Sequence, residues 1–173
     1  MNTDFAVFLA LYLAGLVTRT SYELLKKAGR VIPEGRILFA IVLVAMLILW
    51  VSWFRMCPLD PWRINLPPTF RWIGLGLLIV GWGLALGALI QLRGVENIKH
   101  LVTTGLFSWL RHPMYTGFIL WILGWATYHG AVVSSFFGLL GIGNILFWQR
   151  LEEEKLESQY GADYREYQEK TWF

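Results

Sequence analysis

The chain has 173 residues, of which 56% are hydrophobic and only 16% charged, with a mean hydropathy of +0.50; ordinary globular domains carry about 25% charged residues. That balance excludes a soluble domain, a disordered chain, a coiled coil and a collagen, and the lone Cys57 excludes an internal disulfide framework and an unaided structural zinc site. The formal net charge of +3 is too small and too dispersed for nucleic-acid binding.

What remains is an integral membrane protein, with seventeen glycines for close helix packing and ten tryptophans for the water boundary. A helix crosses the hydrocarbon core in about 20 apolar residues, because each rises about 1.5 Å. Asn2-Thr3-Asp4 predicts a helix cap. No basic residue precedes the apolar stretch and no small-residue cleavage site follows it, so the N-terminal segment reads as a span and not as a signal peptide. The first span covers residues 5–17, lengthened by 18–22 as a snorkelling end; the second covers 37–54 and the third 72–92. Residues 114–149 are too long for one crossing and break at Tyr128-His129-Gly130 into two helices. The prediction is therefore an all-α bundle of five transmembrane helices followed by a C-terminal amphipathic helix. Trp50, Trp53, Trp72 and Trp148 fall near span ends, as an aromatic belt requires.

The third span carries Gly74, Gly76, Gly81, Gly83 and Gly87, including Gly83-Leu-Ala-Leu-Gly87, which predicts a small-residue packing face. It is no dinucleotide loop: no strand precedes it, and a phosphate is not delivered into the middle of an apolar helix. Orientation follows from the basic residues. Arg19, Lys26, Lys27, Arg30, Arg36, Arg93, Lys99, Arg111, Arg150, Lys155, Arg165 and Lys170 share one side of a five-span chain, and only Arg55, Arg63 and Arg71 lie on the other. The positive-inside rule places the first connection, the third connection and the tail in the cytoplasm. The chain divides into three N-terminal spans, 1–92, and a C-terminal part, 93–173, holding a polar loop, a helical hairpin and the tail.

Two polar segments share that cytoplasmic face. In the loop 99–117, Pro113 suits the first turn of the fourth span, which sets Arg111 and His112 at a helix N-terminus where outward N–H groups favour a carboxylate or phosphate. His100 and His112 lack further ligands at zinc spacing, so no metal is expected, and no Ser or Cys has a paired base nearby for nucleophilic catalysis. In the tail, Leu156, Tyr160, Tyr164 and Tyr167 recur at helical spacing and predict one amphipathic face. Glu152, Glu153 and Glu154 are ill-placed beside an anionic membrane surface and suit a cationic ligand. An anion site at Arg111/His112, carboxylates at Glu152/Glu153 and aromatic walls from Phe107, Trp109 and Tyr115 match a ligand with a carboxylate, a cation and an aromatic base; S-adenosyl-L-methionine has that constitution.

The run from Leu101 to Gly117, with its Arg111-His112-Pro113-Met114-Tyr115, followed about forty residues on by Glu152-Glu153-Glu154 through Tyr160-Gly161 to Tyr164 and Tyr167, resembles the isoprenylcysteine carboxyl methyltransferase family and, more loosely, phospholipid methyltransferases. The resemblance covers about Gln91 to Tyr167. It implies a helical membrane bundle whose S-adenosylmethionine site is lined by Lys99, His100, Leu101, Val102, Phe107, Arg111, His112, Pro113, Met114 and Tyr115 and completed by Glu152. It also implies an arginine near the end of the last span, facing the methyl acceptor. One register puts Trp148 in that place, and Arg150 is the nearest arginine; Arg150 and Glu153 stand as the candidate catalytic residues. Methyl transfer is an in-line displacement in which positioning is the main task, and a carboxylate acceptor, ionised near neutral pH, needs no general base. The resulting expectation is carboxyl O-methylation of a lipophilic, prenylcysteine-like acceptor that reaches the site from among the membrane lipids. A phospholipid amine or a small thiol is the alternative acceptor. A sterol-type reductase would need basic residues for a nicotinamide phosphate, against the acidic tail. A non-enzymatic transporter would need more polar residues in the spans than Ser52, Gln91, Ser134, Ser135 and Asn144.

Overall fold

Inside a bilayer every backbone N–H and C=O must be bonded within its own segment, so apolar stretches of this length fold as helices. The structure, a computed structural model, describes residues 3–30, 36–92 and 101–173. The helices are α1 (Thr3–Lys27), α2 (Arg36–Met56), α3 (Pro68–Leu92), α4 (Pro113–His129), α5 (Val132–Tyr160) and α6 (Ala162–Lys170), with single 3₁₀ turns at Cys57–Leu59 and Gly105–Ser108. Four stretches are long and apolar enough to cross a membrane: Thr3–Lys27, Ala40–Leu59, Pro68–Leu92 and Val132–Tyr160. The 17 residues of α4 make a shorter rod, about 25 Å at the usual rise. The break between α4 and α5 falls where the sequence predicts it: Gly130 adopts a left-handed conformation (φ 61°) and its N–H closes the end of α4.

The most extensive helix pairing is α3 against α4, followed by α1 against α2; α5 packs on both α4 and α1. Glycine makes the α3–α4 approach possible, and at two levels only. A Cβ built on Gly74 or Gly124 would lie 2.7 or 2.5 Å from a backbone oxygen of the other, and one built on Gly81 or Gly117 would lie 2.6 or 2.5 Å from its opposite number. The two levels are seven residues apart on each helix, in opposite chain senses, so the backbones touch along one antiparallel seam. Gly76 and Gly83 meet nothing within 4 Å, and Gly87 meets only the tip of Leu106. The packing face predicted for the third span is thus carried by Gly74 and Gly81, continued by Ala85 against Gly117, while Gly76, Gly83 and Gly87 do not point at α4.

The core lies among α1, α2, α4 and α5, where Phe5, Tyr12, Leu16, Leu49, Trp53, Ile122, Ile145 and Trp148 are buried. Large apolar side chains such as Val51, Ile79, Ile90, Phe136 and Leu139 cover the outside, as lipid-facing helices require. The tail departs from its predicted form. α5 runs on through Tyr160, the chain turns at Gly161 (φ 55°), and α6 starts anew, so Leu156 and Tyr160 belong to one helix and Tyr164 and Tyr167 to another.

At the opposite end of the bundle Asp60 is buried and its Oδ2 accepts from both the N–H and the hydroxyl of Ser134, each at 2.6 Å. A carboxylate from the α2–α3 connection therefore caps the first turn of α5, where its charge suits the helix dipole. Asp60→Ala should cost about 0.5–2 kcal/mol, read as a lower thermal midpoint in detergent.

Candidate active site

His112 is buried and caps α4, whose first helical residue is Pro113. Its carbonyl accepts from the N–H of Thr116 at 2.9 Å and from the Thr116 hydroxyl at 3.0 Å. That backbone geometry aims the imidazole at α5. Nε2 lies 3.2 Å from Glu153 Oε1, Nδ1 lies 4.0 Å from Glu152 Oε2, and the ring stacks on Tyr115 with centroids 5.6 Å apart. The Tyr115 hydroxyl is within electrostatic reach of Glu152. One turn of α5 and one turn of α4 thus bring His112, Tyr115, Glu152 and Glu153 to a single mouth.

Arg111 ties the tail to this mouth. Its Nε donates to the same Glu153 oxygen at 3.2 Å, and its Nη1 donates to the carbonyls of Gln168 (3.1 Å) and Thr171 (2.9 Å). Beyond residue 149 α5 leaves its apolar stretch, and there the hydrogen bond from His112, with the Arg111 guanidinium beside it, holds the Glu153 carboxyl below the usual range. The Tyr167 hydroxyl donates to the Phe107 carbonyl at 2.6 Å. Residues 171–173 run beside 109–112 with three backbone hydrogen bonds of 2.9–3.1 Å. At the end of α3, the Gln91 side chain bonds the Thr104 carbonyl and the Leu106 N–H, pinning the turn from the other side.

The expected site residues separate on this geometry. His112, Pro113, Tyr115, Glu152 and Glu153 come together; Phe107 is buried behind them, and Leu101, Val102 and Met114 are half-buried. Lys99 and His100 lie outside the described residues. Arg111 and His112 find their anion within the chain, in Glu153, so the site expected to hold a ligand anion is closed by an internal carboxylate. The wall expected from Trp109 is 78% exposed and faces outward. The structure does not bring Arg150 to the mouth: its side chain is 80% exposed and pairs with Glu154 at 3.6 Å, which Lys27 of α1 also holds at 2.6 Å. Arg150→Ala should change stability by no more than about 1 kcal/mol, since an exposed i,i+4 pair contributes little; a thermal melt in detergent checks this.

Sequence reasoning missed what α1 contributes. Thr20 accepts from the indole N–H of Trp148 at 3.0 Å and donates to Asn144 at 2.8 Å, fixing the Trp148 ring. Arg19 lies over that ring and pairs with Glu23 one turn along α1. The readable signal was Arg19 and Glu23 at i,i+4 just beyond the apolar stretch of that helix. Two buried polar atoms near Glu153 have no protein partner among the described residues: Oε1 of Gln149, one turn deeper on α5, and the hydroxyl of Tyr164. Tyr164 is within electrostatic reach of Glu152, Glu153 and Arg111. Buried groups left this way call for a ligand or water.

Residues 70–163, more than half of the chain and including His112, Tyr115, Glu152 and Glu153, match the family described as phospholipid methyltransferase. The chain belongs to the phospholipid methyltransferase family. Its relatives bear out the resemblance read from the loop and tail. It is 35% identical over 114 residues to a protein-S-isoprenylcysteine O-methyltransferase of Schizosaccharomyces pombe, covering 60% of this chain and 48% of the relative. It is 32% identical over 146 residues to a methanethiol S-methyltransferase of Pseudomonas deceptionensis, covering 75% and 53%. A Xenopus laevis protein-S-isoprenylcysteine O-methyltransferase is 31% identical over 115 residues, covering 56% and 38%. This phospholipid methyltransferase family member thus spans about half the length of these relatives. No solved structure matches it.

Proposed function

We propose that this protein is an integral membrane methyltransferase that takes its methyl group from S-adenosylmethionine and gives it to the carboxylate of a lipophilic, prenylcysteine-like acceptor. The observation that carries this reading is the cluster at the end of α4, where His112 lies beside Glu152 and Glu153, with buried Gln149 and Tyr164 oxygens that have no partner among the described residues. The donor set fits the cofactor. Glu152, partly exposed beside His112, is an acceptor for its ammonium group. The Gln149 and Tyr164 oxygens are further hydrogen-bonding partners, and Leu101, Val102, Phe107 and Tyr115 offer apolar and aromatic surface for its base. When bound, the cofactor supplies a methyl group on a positively charged sulfur, activated for displacement.

The chain's own task is then orientation. His112 holds Glu153 and stacks on Tyr115, and Arg111 ties the end of α6 to the same place, so that donor and acceptor would be held in a fixed line. A carboxylate acceptor is already ionised and asks for no base, in keeping with a mouth in which Glu153 is engaged by His112 and Arg111. The P. deceptionensis relative, named for methylating a thiol, favours a second acceptor class, a small thiolate. Transfer of labelled methyl to a farnesylcysteine analogue, an alkanethiol and a phospholipid extract, run in parallel, tests the reading. Labelling of the farnesylcysteine analogue is the result expected, and labelling of the phospholipid alone would overturn the carboxylate assignment.

We also infer five spans, with α4 crossing beside α3 along the glycine seam and the mouth facing the cytoplasm. The support is the matched α3–α4 register together with the distribution of basic residues. In a Cys57→Ser background, cysteines at positions 65 and 157 should label from opposite sides of intact cells; labelling from the same side would remove one crossing.

A further inference from the structure

The mouth has a second cation, on the helix that bears no family motif. The side chain of Arg19 in α1 is only 17% exposed; it lies 5.6 Å over the Trp148 ring and 5.5 Å over the Tyr22 ring and pairs with Glu23 through Nη1. Lys26 shares that carboxylate, 3.1 Å from its other oxygen, with 23% of its own side chain exposed. Among the described residues these two cations share the Glu23 carboxylate in a partly buried cluster. A partly buried guanidinium in such a cluster suits a further anion.

Position gives such an anion a role. Trp148 and Glu152 are four residues apart on α5, about 6 Å along the helix, and share its inner face. The Tyr115 hydroxyl is within electrostatic reach of Glu152, Arg19 and Glu23 alike. Arg19 thus sits one helical turn deeper toward the lipid than the carboxylate assigned to the methyl donor. The guanidinium fork keeps further donors beyond the one engaged by Glu23, and its stacking on Trp148 and Tyr22 fixes its plane. We propose that Arg19 binds the anionic end of the methyl acceptor and holds it in line with the donor. This deepens the methyltransferase reading above and rests on it for the identity of the donor.

The chemistry sets what such a residue does. The acceptor carboxylate oxygen takes the methyl carbon as its bond to the donor sulfur breaks. The sulfonium becomes a neutral thioether and the carboxylate a neutral ester, and no proton moves. Because the anion disappears in the reaction, Arg19 favours the substrate over the product. It acts on acceptor binding more than on the chemical step, and the ester leaves a cation that no longer attracts it.

The test uses the full chain in detergent with farnesylthioacetic acid and its primary amide, binding read by tryptophan fluorescence, and calorimetry with S-adenosylhomocysteine alongside. Wild type should bind the carboxylate more tightly than the amide. Arg19→Gln should weaken carboxylate binding about 10- to 100-fold, the range for a lost charged hydrogen bond, and raise the acceptor KM with kcat little changed. It should leave the amide and S-adenosylhomocysteine affinities at wild-type levels. Arg19→Lys should recover part of the loss. The same comparison with farnesyl thiol separates the two anions: dependence on Arg19 for the thiol alone assigns the site to a thiolate. Unchanged carboxylate and thiol binding in Arg19→Gln would overturn the proposal, and so would a parallel loss of amide and S-adenosylhomocysteine binding, which marks a structural role. A wild-type protein that binds no S-adenosylhomocysteine would end the methyltransferase reading, while the carboxylate-to-amide ratio would still decide the anion site.

Discussion

Glu152→Gln should weaken S-adenosylhomocysteine binding about 10- to 100-fold without unfolding the protein. Glu152 is the less committed of the two carboxylates that face His112. It lies 4.0 Å from Nδ1, whereas Glu153 lies 3.2 Å from Nε2 and is also held by Arg111. Its side chain is 45% exposed at the opening, so a cationic ligand can reach it. Glutamine keeps the size and one acceptor oxygen and removes the charge; a hydrogen bond to a charged group contributes about 1.5–3 kcal/mol. Glu153→Gln is the contrast. There the loss falls on the Arg111 and His112 clasp, and thermal stability should drop along with affinity. Calorimetry with S-adenosylhomocysteine and a thermal melt of each variant separate the two carboxylates.

The second large effect concerns the α3–α4 seam. Gly117→Ala and Gly124→Ala each place a methyl 2.5 Å from backbone oxygen on α3, a distance that only backbone movement relieves. Each should cost about 1–3 kcal/mol, and Gly117→Leu should abolish recovery of folded protein. Gly76→Ala and Gly83→Ala, with nothing within 4 Å, should be silent or slightly stabilising through a better helix former. Fluorescence-detected size exclusion after a heating series reads all four. A Gly83→Ala variant as damaged as Gly117→Ala would contradict the seam.

Much of this arrangement was legible in the residues. Apolar runs of membrane length, the break at Gly130 and the position of Pro113 are local signals, and each helix forms where its own sequence asks for it. The mouth was legible as far as local order carries it: His112 and Tyr115 are one turn apart on α4, and Glu152 and Glu153 are adjacent on α5. What depended on helix phase or on a partner from elsewhere in the chain was not. Arg150 is two residues from Glu152, about 200° around the helix, and so joins Glu154 and Lys27 on the outer side. Five glycines in α3 read alike until α4 selects Gly74 and Gly81. Arg19 is far from the motif in sequence and reaches Trp148 only because α1 packs on α5. The tail looked like one helical face across Tyr160 and Tyr164; Gly161 lies between them with φ 55° and turns α6 back onto Phe107.

The most direct measurement of the central claim is a calorimetric titration of the detergent-purified full chain with S-adenosylhomocysteine and, separately, with NADPH. The mouth built from His112, Tyr115 and Glu152 predicts saturable one-site binding of S-adenosylhomocysteine, weakened about 10- to 100-fold in Glu152→Gln, and no heat from NADPH. Saturable NADPH binding with no response to S-adenosylhomocysteine would contradict the account and point to a membrane reductase.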